Sequence, residues 1–482
     1  MGMIGSMALR AQDDAREAPL MATISGCRGV VGVTMTPATV CRYVGAFCAW
    51  LRGHGSSIGS SAVVLGRDGR RGGDLLHQTA LAEVRASGFR VIDLGVAATP
   101  TVGVAVREHE AAGGLVITAS HNPGPWNGLK PITADGRAPT VEAATDLLDR
   151  FARGESAHAA VEALGACECD GAATHGHVAR VLDALGSVAD IEAIQRRRFR
   201  IAVDSVNASG ATGARLLADA LGCSVTHLGA GESGVFAHAP EPTRENLTGA
   251  DGLCDVVCEG RLDVGFAQDP DADRLAIIDE RGGYIGEEQT LVIALESLLG
   301  AAGARGGVVA ANLSTSRMID DAASRHGARV VRTPVGEAHV VSAIVQHACV
   351  IGGEGNGGVI WPRVVLIRDS LGAMALTLAL MARSGEPLST LVASWPAYEI
   401  VKAKIPAPAG GAEPALRAVE EAWSDASLDR QDGVRVDLPG ERAWLHVRAS
   451  NTEPILRIIA EAPGRDAAET LVDRARRVVA SV

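Results

Sequence analysis

A short apolar run, a polar loop, a helix-like stretch, a glycine and a second apolar run follow one another three times along this chain. The copies begin at residues 62, 199 and 308, so more than 100 residues separate successive starts. In each copy the apolar runs are typical of buried strands, and the stretch between them is typical of a crossover helix in a parallel sheet. The spacing is too long for a solenoid repeat and predicts three similar mixed α/β domains.

The C-terminal part of the chain has a different pattern. Strand-like segments at 433–438 and 443–448 flank a turn at 439–441, and a further strand is predicted at 455–462. An amphipathic pattern over 466–481 predicts a closing helix. Strands followed closely by strands favour an antiparallel sheet, so the fourth domain is predicted to be α+β. The predicted units are a loose leader at 1–21 and domains at 22–180, 181–286, 287–396 and 397–482.

Composition narrows the class of protein. The chain has 482 residues, a net charge of −12 and only 3% aromatic residues, which argues against nucleic-acid binding and a membrane-surface role. The longest apolar helix-like run, 371–382, is shorter than the ~20 residues that a bilayer span needs. The first residues lack the apolar core of a signal peptide, and nine cysteines without paired CxxC motifs suit reduced thiols. A cytoplasmic protein with no nucleic-acid or membrane partner is expected, and its oligomeric state is left open.

A single hydroxyl stands out in the hexapeptide TASHNP at 118–123. The apolar run at 113–117 predicts a buried strand, which places Ser120 on the loop at its carboxyl end, the edge where open α/β sheets bind ligands. His121 follows directly, and Lys130 comes after a predicted turn. An ordinary polar turn is the alternative interpretation, but three further polar loops carry complementary chemistry.

Three carboxylates alternate in the acidic loop DPDADR, at Asp269, Asp271 and Asp273. Such close negative charges repel one another unless a cation binds them, and oxygen ligands suit Mg²⁺ or Ca²⁺. An EF-hand is excluded because its sixth position, which needs glycine, is Arg274, although Glu280 falls at the twelfth. The apolar run that follows is also strand-like rather than helical. A solvated acidic turn is the remaining alternative.

Two glycine-rich loops match G-x-G-x-x-G, at 229–234 and 353–358. A dinucleotide site needs a helix directly after the glycines. Neither loop continues as a helix, so a Rossmann cofactor site is excluded at both.

A phosphate site is predicted in the loop RASNTEP at 448–454. It offers a guanidinium, two hydroxyls and an amide, from Arg448, Ser450, Asn451 and Thr452, and Arg457 lies just beyond. Arginine binds phosphate through two parallel N–H donors, so this composition is typical of a phosphate-binding loop. A polar hairpin with a surface arginine is the alternative.

Together these loops resemble those of the α-D-phosphohexomutases, the superfamily of phosphoglucomutase, phosphomannomutase and phosphoglucosamine mutase. The resemblance runs from about residue 24 to the C-terminus and implies four domains around a central cleft. It implies a phosphoserine at Ser120 in the first domain, with Lys130 beside it as a candidate for moving the substrate's hydroxyl proton. It also implies a Mg²⁺ site in the second domain, where an oxygen of phosphorylated Ser120 completes the ligands Asp269, Asp271 and Asp273.

The same resemblance implies which residues bind the substrate, a phosphorylated hexose. His121 and Arg28, from the stretch at 25–29, would surround the reacting phosphoryl group, and Arg274 would face the substrate. In the third domain Glu354 and Asn356 would grip ring hydroxyls, although many relatives have serine at position 356 and histidine at 358. In the fourth domain the non-reacting phosphate would be held by Arg448, Ser450, Asn451, Thr452 and Arg457.

Two further stretches match the family less directly. The stretch at 66–70 is predicted to be mainly structural. The loop at 336–339 corresponds to a specificity loop that varies between family members, and its His339 can equally be a packed surface histidine.

The predicted function is a phosphotransfer that interconverts hexose 6-phosphate and hexose 1-phosphate through a bisphosphate intermediate. Gly355 and Gly358 are expected to leave room beside the ring for a 2-amino group, and the loops at 24–29 and 354–358 most resemble the phosphoglucosamine mutases. Phosphoglucosamine mutase is therefore the predicted activity, with phosphomannomutase or phosphoglucomutase as the alternative. A sugar-phosphate hydrolase and a non-catalytic sugar-phosphate binding protein are more distant alternatives.

Overall fold

The structure, a computed structural model, describes residues 19–55, 61–231, 233–249, 251–301, 306–408, 411–450 and 455–481. Most of the predicted leader at 1–21 lies outside these ranges. Four sheets organise the described chain, one in each of four consecutive domains. The first three domains are mixed α/β and the fourth is α+β, so the predicted fold class is confirmed.

The first domain contains a seven-stranded mixed sheet. Its elements are β1 (Met21–Thr23), β2 (Gly26–Val30), α1 (Pro37–Gly53), β3 (Ala62–Arg67), α2 (Gly73–Ala86), β4 (Arg90–Val96), α3 (Thr99–Glu108), β5 (Gly113–Ile117), β6 (Trp126–Thr133), α4 (Val141–Arg153), a 3₁₀ turn (Val161–Ala163) and β7 (Cys167–Cys169). The strand order is β1-β2-β6-β5-β3-β4-β7. Strands β5, β3, β4 and β7 are parallel, whereas β5–β6, β6–β2 and β2–β1 pair antiparallel.

Two helices, α5 (Ala173–Gly186) and α6 (Ile191–Arg197), lead into the second domain. This domain contains β8 (Arg200–Asp204), α7 (Gly210–Ala220), β9 (Ser224–Leu228), α8 (Arg244–Leu247), α9 (Leu253–Gly260), β10 (Val264–Gln268) and β11 (Leu275–Asp279). Its strand order is β11-β10-β8-β9, and all pairs are parallel except the hairpin β10–β11.

The third domain repeats this arrangement. It contains α10 (Glu287–Leu299), β12 (Val308–Asn312), α11 (Met318–Arg325), β13 (Arg329–Thr333), α12 (Glu337–His347), β14 (Ile351–Glu354), β15 (Gly358–Ile360), α13 (Ser370–Ser384) and α14 (Leu388–Ala393). The strand order is β13-β12-β14-β15, with only the hairpin β14–β15 antiparallel.

The fourth domain is built differently. It contains β16 (Glu399–Pro406), α15 (Ala412–Ala422), β17 (Ser427–Asp429), β18 (Val434–Leu438), a 3₁₀ turn (Pro439–Glu441), β19 (Ala443–Ala449), β20 (Ile455–Ala462) and α16 (Arg465–Val479). The sheet is fully antiparallel, in the order β16-β20-β19-β18-β17. Apolar side chains of α15 and α16, such as Val419 and Leu471, pack with Leu445 and Val447 of the sheet into a separate core.

One strand topology is common to the three α/β domains, and it explains where the polar loops lie. In each domain the shared unit begins with a central strand, which is β3, β8 or β12. The second strand of the unit pairs parallel on one side of it, the third pairs parallel on the other side, and the fourth returns antiparallel from the third. The loops after the third strands β5, β10 and β14 carry Ser120, the aspartates at 269–273 and the glycines at 355–358, respectively. Each functional loop therefore lies at the carboxyl edge of a parallel sheet, where such folds bind ligands.

Helix α13 lies in the core that the first three domains share. Asp369 is its N-cap residue, and the Asp369 carboxylate accepts hydrogen bonds from the backbone N–H groups of Leu371 (2.9 Å) and Gly372 (3.1 Å). Gly385 is its C-cap residue and adopts the left-handed conformation (φ +74°). Every residue from 370 to 381 is buried, as expected of a helix that is apolar on all faces. The first three domains thus form one packed body, against which the fourth domain docks with its own core.

Most predicted elements are confirmed, with ends that differ by a few residues. Strand β20 spans the predicted 455–462, and α16 spans 465–479. The predicted end of the first domain, residue 180, lies inside α5, whereas residues 286 and 396 lie between elements; the domain boundaries stay predictions. Within the described ranges, no helix is both long enough and apolar enough to cross a membrane.

Candidate active site

Ser120 lies at the centre of a buried polar cluster. It is 1% exposed, and its φ of +50° places it in the left-handed region, which few residues other than glycine adopt. The Oγ donates a hydrogen bond to Oδ2 of Asp269 (2.9 Å) and lies 3.3 Å from Nδ1 of His121. The structure thus joins the predicted phosphoserine loop of the first domain to the acidic loop of the second.

A buried ion pair beneath the loop fixes this unusual conformation. Arg70 Nε donates to Asp68 Oδ2 (2.8 Å), and the same oxygen accepts from Thr118 Oγ1 (2.7 Å). Thr118 Oγ1 in turn accepts from the backbone N–H of Ser120 (2.8 Å). Arg70 also donates to the carbonyl oxygens of Trp126 (2.7 Å) and Ser120. These contacts support the structural role predicted for the stretch at 66–70, here as the base of the Ser120 loop.

We expect Asp68→Ala to lower the free energy of unfolding by about 3–5 kcal/mol, because it leaves the charge of the fully buried Arg70 without the carboxylate that pairs with it. Urea unfolding followed by circular dichroism measures the change. Glu168→Ala is the control, since Glu168 pairs with Arg90 on the surface and such pairs contribute about 1 kcal/mol or less. Equal losses in the two variants would contradict the role given to Asp68.

The three aspartates of the β10–β11 loop form a candidate metal centre. Asp269, Asp271 and Asp273 are all fully buried, and each offers an oxygen within 4.8 Å of the others. Burial raises the pKa of Asp269, and the nearby charges of Asp271 and Asp273 raise it further. Oδ1 of Asp271 and Oδ1 of Asp273 are buried and find no hydrogen-bond partner among the described residues. Unsatisfied carboxylate oxygens in a repelling cluster fit a hard divalent cation.

Lys130 lies against this cluster as a buried ammonium. Its Nζ donates to Asp273 Oδ2 (2.8 Å) and lies 3.6 Å from Asp271 Oδ2 and 3.7 Å from Glu337 Oε2. Burial alone would lower the pKa of Lys130, but Asp273, Glu337 and Asp271 raise it above its usual value. The Lys130 side chain therefore places a positive charge against the aspartate cluster that Ser120 contacts.

The other predicted residues of the reacting centre also converge here. Arg28 Nη1 donates to Asn122 Oδ1 (2.9 Å), two residues beyond Ser120. Arg274 lies with its Nε 4.0 Å from Asp273 Oδ1. Burial lowers the pKa of His121 to about 3, and the charges of Arg274 and Arg28 act in the same direction. His121 is thus a neutral imidazole next to the Ser120 hydroxyl.

Another arginine, Arg368, was not predicted from the sequence and joins the acidic loop to the third domain. Arg368 is 8% exposed, and its Nη2 donates to Asp273 Oδ2 (2.6 Å) while its Nη1 donates to Glu354 Oε2 (2.6 Å). Glu337, at the start of α12, accepts from the backbone N–H of Arg368 (3.2 Å). In the predicted specificity loop it is therefore Glu337 that contacts this centre.

Glu354 and Asn356 border a cavity of about 180 Å³ between the third and fourth domains, together with Arg448 and Arg457. The predicted ring-binding and phosphate-binding residues thus face one space. Glu354 Oε1 also accepts from Asn312 Nδ2 (2.9 Å), so both of its oxygens are held by protein donors.

The two glycines of this loop pack closely against larger side chains. A Cβ at Gly355 would lie 2.0 Å from Oε2 of Glu288, and a Cβ at Gly358 would lie 2.1 Å from Cδ of Arg368. Gly355 also borders the cavity of about 180 Å³, and the expected room for a 2-amino group beside the ring stays a prediction.

The predicted phosphate-binding loop of the fourth domain begins at the end of β19. Arg448 and Arg457 are cross-strand partners in β19 and β20, and both line a neighbouring cavity of about 460 Å³ with Ser450. Asp432 Oδ2 accepts from the backbone N–H of Val335 (3.0 Å) and lies 3.7 Å from Arg448 Nη1, which ties the two domains together. The predicted residues Asn451 and Thr452 lie outside the described residues.

Four family models match consecutive parts of this chain. They are described as phosphoglucomutase/phosphomannomutase α/β/α domain I (residues 21–158), domain II (179–283), domain III (287–398) and C-terminal domain (412–478). The chain belongs to the phosphoglucomutase/phosphomannomutase family. The resemblance inferred from the loops is therefore confirmed, and the protein is a phosphohexomutase, an isomerase.

Individual relatives cover nearly all of the chain. It is 35% identical over 467 residues to a probable phosphoglucosamine mutase of Methanopyrus kandleri, covering 95% of this chain and 98% of that protein. It is 33% identical over 450 residues to a phosphoglucomutase/phosphomannomutase of Thermococcus kodakarensis, covering 93% and 96%. Among solved structures it is similar to a phosphoglucomutase/phosphomannomutase family protein from Burkholderia thailandensis, with a TM-score of 0.81, 25% identity and coverage of 96% and 98%.

Several polar residues of this phosphohexomutase were missed because each lies outside a recognisable loop motif. Arg368 stands between the apolar run at 364–367 and the apolar helix α13. A charged residue between two buried apolar segments needs a buried partner, and this was the available signal. Glu288 in α10 and Asp432 before β18 gave no comparable signal, because acidic residues at such positions are commonly exposed.

Proposed function

We propose that this phosphohexomutase interconverts hexose 6-phosphate and hexose 1-phosphate through a phosphoserine at Ser120 and a bisphosphate intermediate. The observation that carries the proposal is the position of the Ser120 hydroxyl, 2.9 Å from Asp269 Oδ2 in a cluster of carboxylates with unsatisfied oxygens. Such a placement suits a hydroxyl that carries a phosphoryl group next to a bound cation.

The proposed reaction consists of two phosphoryl transfers that balance. In the first, the bond between phosphorus and Ser120 Oγ breaks, a bond from phosphorus to the oxygen of the free sugar hydroxyl forms, and the proton of that hydroxyl passes in net terms to Ser120 Oγ. In the second, the bond between the other phosphorus and its sugar oxygen breaks, a bond from that phosphorus to Ser120 Oγ forms, and the proton of the Ser120 hydroxyl passes to the released sugar oxygen. No water is consumed, so the net change is an isomerisation.

We propose that Ser120, Asp269, Asp271 and Asp273 hold Mg²⁺, which when bound would neutralise charge on the transferring phosphoryl group. Lys130, as a buried ammonium, and Arg28 supply further positive charge on the same side of the cleft. His121 is placed to contact the reacting oxygen as a neutral group. Transfer of the hydroxyl proton by Lys130 stays a prediction.

The substrate is proposed to lie between these residues and the fourth domain. Arg274, Glu354 and Asn356 would contact the hexose. The non-reacting phosphate would be held by Arg448, Ser450, Asn451, Thr452 and Arg457. The shared cavity that Glu354, Asn356, Arg448 and Arg457 line supports this arrangement.

Glucosamine phosphate is the substrate we propose. The support is the relative from Methanopyrus kandleri, 35% identical and named a probable phosphoglucosamine mutase. The relative from Thermococcus kodakarensis, 33% identical, is named a phosphoglucomutase/phosphomannomutase, so glucose and mannose phosphates are the alternative.

The test compares kcat/KM for glucosamine, glucose and mannose 1-phosphates with Mg²⁺ and a bisphosphate activator, followed by ³¹P NMR. We expect conversion to the 6-phosphates, fastest for glucosamine. A preference for glucose or mannose would overturn the sugar assignment alone. Release of inorganic phosphate instead of an isomer would favour a hydrolase, and binding without any reaction would favour a binding protein.

We expect Arg448→Ala to raise KM with a smaller effect on kcat, because its proposed partner is the phosphate that does not react. A charge-assisted hydrogen bond contributes about 1–3 kcal/mol, which corresponds to a rise in KM of roughly 5- to 150-fold. Arg430→Ala is the matched control, since Arg430 pairs with Glu420 on the surface of the same domain. An unchanged KM for Arg448→Ala would place the phosphate elsewhere.

A further inference from the structure

The Arg368 side chain joins the metal-binding loop to the sugar-binding loop through two hydrogen bonds. Its planar guanidinium donates to Asp273 Oδ2 and to Glu354 Oε2, both at 2.6 Å. Asp273 belongs to the β10–β11 hairpin of the second domain, and Glu354 ends β14 of the third. The N–H groups of a guanidinium point in fixed directions, so the guanidinium sets the separation of the two carboxylates that it binds. The ammonium group of a flexible lysine side chain cannot do this.

The arginine itself is held in place from both ends. Its neighbour Asp369 caps α13 and lies 3.2 Å from Nε2 of the buried His177. The aliphatic part of the Arg368 side chain runs across Gly358, where any Cβ would lie 2.1 Å from its Cδ. Glycine at position 358 is thus what allows the guanidinium to reach Glu354.

Glu354 depends on this contact for its position. It is 4% exposed, and among the described residues Oε2 accepts from Arg368 and Oε1 accepts from the neutral Asn312. A buried carboxylate without a cation is strongly destabilised and changes its position or its charge. With both partners present, each oxygen of Glu354 has a fixed direction and a further lone pair for a ring hydroxyl.

We propose that Arg368 is a positioning residue that aligns Glu354 for the hexose ring and thereby determines sugar affinity and kcat/KM. The proposal rests on the ring-binding role proposed for Glu354. Arg368 has no proposed contact with the substrate, since both of its terminal nitrogens are bound to carboxylates.

The test measures the binding of glucosamine 6-phosphate and glucose 6-phosphate by calorimetry in the Ser120→Ala background, where no turnover interferes. We expect Arg368→Met to weaken binding by roughly 10- to 100-fold and Arg368→Lys to restore part of the loss, because a lysine reaches only one of the two carboxylates. Gly358→Ala should weaken binding in the same direction, since it displaces the Arg368 side chain without removing its charge.

A double-mutant cycle separates positioning from general stability. If Arg368 acts through Glu354, adding Arg368→Met to Glu354→Gln should cause little further loss of binding. Arg383→Met is the matched control, because the Arg383 side chain on α13 donates to backbone carbonyls of α10, at Ser297 and Glu296. This substitution should leave both binding and turnover unchanged. Thermal unfolding of every variant reports any loss of the fold.

The outcomes distinguish this proposal from the proposed function. If the double variant loses affinity by the product of the two single-variant factors, the two residues act independently and the positioning role is overturned. Turnover by the wild-type protein would still support the proposed function. The wild-type protein could instead bind hexose phosphate without turning it over, while Arg368→Met adds little to the loss from Glu354→Gln. That result would overturn the proposed function and support the positioning role. Failure of the Ser120→Ala protein to bind either sugar phosphate would overturn both.

Discussion

We expect the Ser120→Ala protein to fold like the wild type and to lose mutase activity by roughly 10⁵–10⁶-fold, the scale on which enzymes depend on a covalent nucleophile. The hydroxyl is the proposed carrier of the phosphoryl group, and alanine removes it. His121 and the carboxylate of Asp269, which contact Oγ, are unchanged in this variant. Turnover of a hexose 1-phosphate with a bisphosphate activator measures the loss.

Intact mass spectrometry gives this prediction a second readout. After incubation with a hexose 1,6-bisphosphate, the wild-type protein should gain one phosphoryl group and Ser120→Ala should gain none. Ser342→Ala is the control, since Ser342 on α12 hydrogen-bonds only within its helix, to the carbonyl oxygen of Ala338. Normal turnover by a folded Ser120→Ala protein would show that another group carries the phosphate.

The second large effect concerns the aspartates of the β10–β11 loop. We expect exhaustive chelation to abolish activity, Mg²⁺ to restore it, and Asp271→Asn to lower kcat by about 10³-fold, since a bound cation contributes several kcal/mol of charge stabilisation in the transition state. Oδ1 of Asp271 is buried without a hydrogen-bond partner, whereas Oδ2 accepts from Thr99 Oγ1 (2.6 Å). Asparagine keeps the shape of the side chain and removes its charge.

Metal binding is measured separately from activity, by calorimetry with Mg²⁺ and by the Mg²⁺-dependent shift of the unfolding temperature. Asp271→Asn should weaken both, because one of the three carboxylate ligands loses its charge. Asp263→Asn is the matched control: Asp263 lies outside the cluster in the same domain, and its Oδ2 accepts from the backbone N–H of Arg200. Undiminished rates after chelation, or equal Mg²⁺ binding by the two variants, would contradict a metal site at Asp271.

The fold was predictable from the sequence because its signals are local and repeated. The apolar runs at 62, 199 and 308 each start a strand, and the acidic loop at 269–274 and the glycine loop at 353–358 each follow a buried strand. Strand, turn and helix propensities act over a few residues, so one copy of the pattern predicts the same unit as another. The three domains accordingly share a strand order in which the same hairpin carries each functional loop.

The contents of the site were predictable only where a loop carried its own chemistry. Ser120 and the three aspartates were found because their types and spacing suggest a function without any partner. The packing around Gly355 and Gly358 was not predicted, because Glu288 and Arg368, which lie against these glycines, come from α10 and from the segment before α13. No pattern within residues 353–358 could show which distant side chains pack there.

The sequence by itself thus determined the succession of four domains, the family and the loops that carry the hydroxyl, the carboxylates and the arginines that are predicted to bind phosphate. Tertiary structure alone decided how these loops meet: Ser120 on Asp269, Lys130 and Arg368 sharing Asp273, and Glu354 held between Asn312 and Arg368. The physical reason is that buried charges must be paired, and a partner is chosen by proximity in the folded chain rather than by distance along the sequence.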